Sequence, residues 1–194
     1  MCLNCVVYLL FMKKLYWLVF LLQGSFLVVK AQPVVDKNLA AKAWADSVYN
    51  SLNPDQRIAQ LMVLRLSAYD FKNKTPIYYD SAVAEAVKKY NVGGICPFQG
   101  NPVQLATIIN HLQSIAATPL MTCIDAEWGV GMRLFDSVAP LHHQMMLGAM
   151  QDASIVYKYG QIVAEQCKRL GITVNYAPVV DINNNPNNPV INDR

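Results

Sequence analysis

The chain has 194 residues, of which 54% are hydrophobic, and a formal net charge of +3. Three of its 16 basic residues and none of its 13 acidic residues lie within residues 1–31, so the rest of the chain carries 13 of each. That balance offers no basic patch for nucleic acid, and the length suits one ordinary domain.

The first 31 residues have the pattern of a secretory signal peptide. Two lysines at 13–14 precede an apolar run over residues 15–29, and Ala31 ends a plausible cleavage site. We expect residues 1–11 to be a spurious extension before a true start at Met12, and the mature protein to be exported to the periplasm or beyond. The alternative is an anchor that leaves the protein membrane-associated if the leader is not cleaved, but two lysines inside the apolar stretch are costly in a bilayer.

Helical patterns and short apolar runs alternate along residues 32–194. Residues 68–80, which are polar and rich in Lys and Tyr, are predicted to form a loop. Helices are predicted over residues 36–52, 81–90 and 152–170, and two more are predicted to begin at Asn53-Pro54 and at Asn101-Pro102. Asn53, Asn101 and Asp152 are the predicted caps. The predicted strands cover residues 61–66, 92–98, 119–124 and 172–177.

This alternation predicts an α/β fold. The strands are apolar with little period-2 alternation, which is typical of a parallel sheet covered on both faces. Such a sheet is either doubly wound or closed into a barrel. About four strand–helix units are visible, whereas a complete (β/α)8 barrel has eight in typically ~250 residues. If the fold is a TIM-type barrel, the chain therefore corresponds to about its N-terminal half.

Charged residues follow two of the predicted strands, at the edge where parallel α/β folds place their sites. Asp125 and Glu127 come directly after an apolar run, and Arg133 follows eight residues after Asp125. Asp181 and Arg194 lie after the next strand. Asp125 either caps the following turn and pairs locally with Arg133, or belongs to a ligand site.

Other kinds of site are not indicated. The Gly129-x-Gly131 pair lacks the third glycine of a phosphate-binding loop. His142 and His143 are adjacent and so point in different directions, which does not suit a metal site; we expect them at a helix start, and we expect no cofactor. No G-x-S-x-G motif for a serine hydrolase is present.

The cysteines do not indicate redox or zinc chemistry either. Cys2 and Cys5 lie in the leader without a second pair. Cys96, Cys123 and Cys167 each lie in an apolar setting and are predicted to be buried free thiols.

Three motifs in order resemble those of glycoside hydrolase family 3, the family of β-N-acetylglucosaminidases and β-glucosidases. "IDAEWGVGMRL" (124–134) resembles its Asp-Gln-Glu-Gly-Gly-x-Val-x-Arg segment, and "VGGICPFQGN" (92–101) resembles its Gly-Gly strand followed by Phe and Gly-Asn. "LGITVNYAPVVDINNNPNNPVINDR" (170–194) resembles its Leu-Gly-Ile-x-x-Asn-x-Ala-Pro-x-x-Asp run with a later Asn-Pro and Arg. The resemblance covers roughly residues 54–194 and implies a (β/α)8 barrel.

The resemblance also implies roles for individual residues. Asp125 would accept hydrogen bonds from hydroxyls of a terminal sugar, while Arg133 and Arg194 match arginines that hold the same sugar in the N-acetylglucosaminidase branch. Glu127 would stand behind these contacts and pair with an arginine. Trp128 departs from the commoner glycine, so it would narrow the pocket or stack on a sugar.

Asp181 would order the Asn/Pro loop that ends the chain. The implied activity of the full-length protein is retaining hydrolysis of terminal non-reducing β-glycosidic bonds, above all of β-N-acetylglucosaminides, with a carbohydrate of the cell-wall or oligosaccharide type as substrate. A β-lactamase-like domain further along the chain is often found in relatives with this motif.

The resemblance places no catalytic residue within the chain. A retaining glycosidase needs a nucleophilic carboxylate and an acid/base group. In this branch they are a late Asp and a His in a Lys-His-Phe-x-Gly-His-Gly loop, both expected beyond Arg194. Since half a barrel exposes strand edges, we expect residues 32–194 alone to be poorly soluble and inactive.

Two alternatives are weighed against this interpretation. One is a non-catalytic sugar-binding or scaffold remnant of the same fold. The other is a membrane-anchored α/β protein that binds a phosphorylated ligand, but this would need a glycine-rich turn at the carboxyl end of a strand, and the sequence shows none.

Overall fold

A computed structural model describes residues 37–134, 137–191 and 194. The chain divides into two compact units, Met1–Trp44 and Ala45–Arg194. In the first unit only the beginning of one helix is described. The predicted signal peptide, residues 1–31, lies outside the described residues.

The described elements begin with helices and end with a short strand. The helices are α1 (Lys37–Ser51), α2 (Pro54–Ala59), α3 (Asp80–Tyr90), α4 (Pro102–Ile115), α5 (Gln144–Gly148) and α6 (Ala153–Arg169), and a 3-10 turn covers Val130–Met132. The strands are β1 (Val63–Arg65), β2 (Ser67–Asp70), β3 (Thr75–Tyr78), β4 (Gly94–Cys96), β5 (Met121–Ile124) and β6 (Val174–Asn175).

The central sheet has four parallel strands in the order β1-β4-β5-β6. Its register pairs Leu64 with Ile95, Ile95 with Thr122, and Ile124 with Asn175. Each new strand joins the edge left by the previous one, with no reversal of direction. A barrel grows in this way, whereas the strand order of a doubly wound sheet reverses. The α/β prediction is confirmed, and of its two forms the strand order selects the barrel.

The predicted loop over residues 68–80 is wrong, because β2 and β3 form an antiparallel hairpin there. The turn is built by Asp70, whose Oδ1 accepts hydrogen bonds from the backbone N–H groups of Lys72 and Asn73 at 2.9 and 3.1 Å. Lys74 then adopts a positive φ of 55°. A side-chain-closed turn followed by Thr75 and further β-favouring residues is a hairpin signal that the polar composition obscured.

Polar caps start the helices that pack on the sheet. Asn53 and Gln56 form a capping box at α2, Asn101 accepts from two backbone N–H groups at α4, and Asp152 accepts from the backbone of Ser154 at α6. These caps satisfy N–H groups that a helix leaves without partners. The three predicted helix starts are confirmed.

The core lies between the sheet and the helices that follow its strands. Its fully buried side chains include Leu66, Ile95, Leu112 and Ile124. The three thiols at positions 96, 123 and 167 are buried and free, as predicted. Within the described residues, no helix is both long and apolar enough to cross a membrane.

Candidate functional site

The chain turns sharply where β5 ends, and Asp125 is the first residue of that turn. Gly129 has a φ of +85°, which favours glycine. A Cβ on Gly131 would lie 2.5 Å from backbone atoms of Ala139 and Pro140, so only glycine fits there. Gln166 of α6 anchors the turn by accepting from the backbone N–H of Val130 at 2.9 Å. This folding brings residue 133 back onto the end of β5.

Arg133 donates two hydrogen bonds to Asp125. Its Nη2 lies 2.6 Å from Oδ2 of the Asp125 carboxylate, and its Nε donates to the Asp125 backbone carbonyl, also at 2.6 Å. The Arg133 side chain is 13% exposed and the Asp125 side chain 32% exposed. The contact to Oδ2 orients the carboxylate, and the contact to the backbone carbonyl holds the guanidinium in place beside it. Within the described part of the chain, nothing hydrogen-bonds to the second oxygen, Oδ1.

Two arginines lie against the ring of Phe98, which follows β4. The guanidinium carbons of Arg133 and Arg65 are each 5.2 Å from the ring centroid. The Phe98 backbone is fixed to the start of β2, two residues after β1 ends, because its N–H donates to Ser67 Oγ at 3.0 Å. Arg65 in turn donates from Nε to the Ser67 carbonyl at 3.1 Å. The ends of β1, β4 and β5 are thereby joined around one aromatic ring.

Glu127 belongs to a second carboxylate–arginine pair. Its Oε2 lies 3.5 Å from Nε of Arg194. The Glu127 side chain is 3% exposed, whereas that of Arg194 is 32% exposed. At this distance and geometry the contact is an ion pair but not a hydrogen bond, so Oε2 has no hydrogen-bond partner among the described residues.

The backbone between the two acids is held by amide side chains. Asn175, at the end of β6, accepts from the Ala126 N–H at 2.9 Å and donates to the Ala126 carbonyl at 3.2 Å. Gln144, the first residue of α5, donates from Nε2 to the Glu127 carbonyl at 2.6 Å. These bonds hold the backbone that carries Asp125 and Glu127 in place.

The indole of Trp128 stacks on the imidazole of His143, with ring centroids 4.1 Å apart and planes tilted by 31°. His143 is the N-cap of α5, which confirms the predicted helix start. No group of three or more potential metal ligands is found in the described ranges.

A buried thiol lies behind the Asp125–Arg133 pair. Burial raises the pKa of Cys96 to about 11, and the nearby Cys123 and Asp125 add to this rise while Arg133 opposes it. The thiol is therefore protonated at neutral pH and is not a nucleophile.

The structure brings the predicted residues together as two separate pairs, Asp125 with Arg133 and Glu127 with Arg194. Asp181 is exposed, and the turns of the final loop are closed instead by the side chains of Asn185 and Asn188. The role of Phe98 was missed, although an aromatic residue at the carboxyl end of a predicted strand is a signal that could have found it.

Two cavities border these residues. A cavity of about 790 Å³ is lined by parts of α5, α6 and β6 and reaches Glu127, but neither Asp125 nor Arg133 lines it. A smaller one of about 280 Å³ is lined by Tyr69, Phe71, Gln99 and Met132. The larger cavity has a mostly apolar lining, so the volume of a cavity does not by itself identify the site formed by Asp125 and Arg133.

Comparisons with known proteins agree on one family. Residues 54–194 match the model described as "Glycosyl hydrolase family 3 N terminal domain". Beta-hexosaminidase A of Pseudoalteromonas piscicida is 30% identical over 172 residues, covering 78% of this chain and 29% of that protein. Beta-hexosaminidase LpqI of Mycobacterium tuberculosis is 30% identical over 151 residues, covering 74% of this chain and 35% of that protein. The chain thus spans about a third or less of these curated relatives.

Solved structures give the same result. A family 3 β-N-acetylglucosaminidase from Paenibacillus sp. str. FPU-7 aligns with a TM-score of 0.60 and 34% identity over 73% of this chain and 27% of that chain. A β-glucoside phosphorylase aligns with a TM-score of 0.59 over 76% of this chain and 25% of that chain, but at 21% identity it supports the fold alone. The chain therefore belongs to glycosyl hydrolase family 3 and carries the sequence of that family's N-terminal domain.

Proposed function

We propose that the protein hydrolyses terminal non-reducing β-glycosidic bonds, with β-N-acetylglucosaminides as the preferred substrates and retention of anomeric configuration. The observation that carries the proposal is the Asp125 carboxylate at the end of β5. One of its oxygens is fixed by Arg133, and the other has no described partner on a side chain that is a third exposed. A carboxylate in this state can accept hydrogen bonds from the hydroxyls of a sugar.

Arg194 is the second proposed contact with the terminal sugar. Its side chain is a third exposed while its countercharge, Glu127, is buried. Glu127 pairs with Arg194 at Nε, so the other N–H groups of the guanidinium can donate to a ligand. The fixed geometry of these donors suits two oxygens of a sugar. Arg133 completes the sugar site by setting the direction of the Asp125 carboxylate.

The substrate class rests on the relatives. The Pseudoalteromonas protein is named a β-hexosaminidase and the Paenibacillus structure a β-N-acetylglucosaminidase. A relative from Cellulomonas fimi is named a β-N-acetylglucosaminidase/β-glucosidase, so β-glucosides are the second substrates to test.

Neither acid of the site is assigned as nucleophile or as acid/base. Both are engaged by arginines, which favours binding and orientation over proton transfer. Retaining hydrolysis needs two further groups about 5–5.5 Å apart, and the proposal leaves them to other residues of the full-length protein.

The test is turnover of 4-nitrophenyl N-acetyl-β-D-glucosaminide and 4-nitrophenyl β-D-glucoside by the full-length protein. We expect Asp125→Asn to lower kcat/KM by about 100-fold, since one charged acceptor in contact with hydroxyls contributes about 1.5–3 kcal/mol. Asp152→Asn makes the same chemical change at an exposed helix cap and should have no effect, because asparagine also caps. Sugar binding without turnover by the unaltered protein would instead support a non-catalytic sugar-binding protein.

We also infer export of the protein from the Lys-Lys pair at 13–14 and the apolar run that follows it. N-terminal sequencing of the mature protein should then begin at Gln32. A mature chain that keeps residues 1–31 would overturn this inference.

A further inference from the structure

The smaller cavity lies between the β2–β3 hairpin and the segments that follow β4 and β5. We refer to this space, lined by Tyr69, Phe71, Gln99 and Met132, as the hairpin cleft. Its volume is about 280 Å³, which is just below the range of about 300–1,000 Å³ for pockets that bury a whole drug-sized ligand. None of its lining residues belongs to the two carboxylate–arginine pairs.

The hairpin cleft is joined to the Asp125 site through the chain itself. Met132 immediately precedes Arg133, whose guanidinium holds Asp125. Gln99 immediately follows Phe98, whose ring lies 5.2 Å from the same guanidinium carbon. Since consecutive Cα atoms are about 3.8 Å apart, two of the four lining residues are direct neighbours of the site.

The chemistry of the hairpin cleft suits a sugar ring. Tyr69 and Phe71 pack edge to face with ring centroids 5.1 Å apart. The Phe71 side chain is 83% exposed, so its ring is open to a ligand. The C–H face of a pyranose can lie against such a ring, while Gln99 supplies an amide that both donates to and accepts from hydroxyls.

We propose that the hairpin cleft binds the sugar on the leaving side of the scissile bond, and that Phe71 determines how strongly such a sugar is preferred over a small leaving group. This inference rests on the proposed function, because it needs a terminal sugar held at Asp125. It adds a second binding position that is formed by the hairpin and not by the barrel strands.

The test compares two substrates in the full-length protein. N,N′-diacetylchitobiose places a sugar in the hairpin cleft, whereas N-acetyl-β-D-glucosaminyl fluoride leaves the cleft empty. The readout is the ratio of kcat/KM for the disaccharide to kcat/KM for the fluoride. We expect Phe71→Ala to lower this ratio about tenfold, which corresponds to the loss of one aromatic contact, and Phe71→Trp to preserve it.

Tyr157→Ala is the matched control. Tyr157 lies on α6, is 70% exposed and does not line the hairpin cleft, so its removal should leave the ratio unchanged. An unchanged ratio in Phe71→Ala, or an equal fall in Tyr157→Ala, would overturn the assignment of the cleft while leaving the glycosidase proposal intact. No turnover of either substrate by the unaltered protein would overturn both.

Discussion

Asp125 and Glu127 are two residues apart in the chain, and each pairs with an arginine. The two pairs differ in which partner is buried. In the Asp125–Arg133 pair the arginine is the more buried partner and the carboxylate is a third exposed. In the Glu127–Arg194 pair the carboxylate is almost fully buried and the arginine is a third exposed. One pair exposes a hydrogen-bond acceptor and the other exposes donors, and in each pair the more buried partner contacts the more exposed one.

The geometry of the contacts differs in the same sense. Arg133 makes two contacts of 2.6 Å with Asp125, whereas Arg194 approaches Glu127 only to 3.5 Å. A short, two-point contact fixes an acceptor more firmly than a single long one fixes a donor. We therefore expect the first pair to behave as one unit and the second as two weakly coupled residues.

The largest effect is expected from disrupting the first pair. Asp125→Asn and Arg133→Gln should each lower kcat/KM by about 100-fold, and the double variant should lose little more than either alone, because each partner works through the other. The measurement is a double-mutant cycle on 4-nitrophenyl N-acetyl-β-D-glucosaminide. Losses that multiply to about 10,000-fold would mean that the two residues contact the sugar independently.

The second pair should respond asymmetrically in stability. Arg194→Gln leaves a buried carboxylate without its countercharge, which we expect to cost about 2 kcal/mol, below the range for fully buried pairs because Arg194 is partly exposed. Glu127→Gln leaves only a partly solvated guanidinium and should cost less. Thermal midpoints of the two variants measure this difference.

Arg169→Gln is a suitable control for those midpoints, since Arg169 forms an exposed i,i+4 pair with Glu165 and such pairs contribute little. Equal thermal midpoints for the Arg194 and Glu127 variants would contradict the proposal that the buried Glu127 depends on Arg194 more than Arg194 depends on Glu127.

The smallest effect concerns the thiol behind the first pair. Because burial raises the pKa of Cys96 from its ordinary value of 9.0 to about 11 in the folded protein, the folded state retains a proton that the unfolded state loses between these two pH values. The contribution of Cys96 to stability should therefore be constant below pH 9 and fall between pH 9 and 11, by up to about 1.4 kcal/mol for each pH unit. Thermal midpoints at pH 8 and 10.5 should differ less in Cys96→Ala, and an identical difference would exclude Cys96 as the cause.

Much of the fold follows from local patterns. The caps at Asn53, Asn101 and Asp152 could be predicted from the sequence because each side chain accepts a hydrogen bond from a backbone N–H within the next three residues. The parallel sheet was readable because buried strands such as residues 92–98 lack alternation. The hairpin was not predicted, because its turn is closed by the side chain of Asp70 inside a polar segment whose composition is typical of loops.

The site was predictable in its members and in part of its pairing. The sequence placed Asp125, Glu127 and Arg133 after one strand and offered a local Asp125–Arg133 pair as one of two interpretations, but spacing could not decide between them. That choice depends on the turn at Gly129 and Gly131, which returns residue 133 to Asp125. Such long-range geometry appears only when the strands and α6 are assembled.

The most direct measurement is a crystal structure of the full-length protein with N-acetylglucosamine bound. The account predicts hydroxyls of the sugar within hydrogen-bond distance of Asp125 Oδ1, donors of Arg194 on the same sugar, and Arg133 still bound to Asp125. A sugar bound away from Asp125, or an Arg133 that leaves Asp125 to contact the sugar alone, would contradict it.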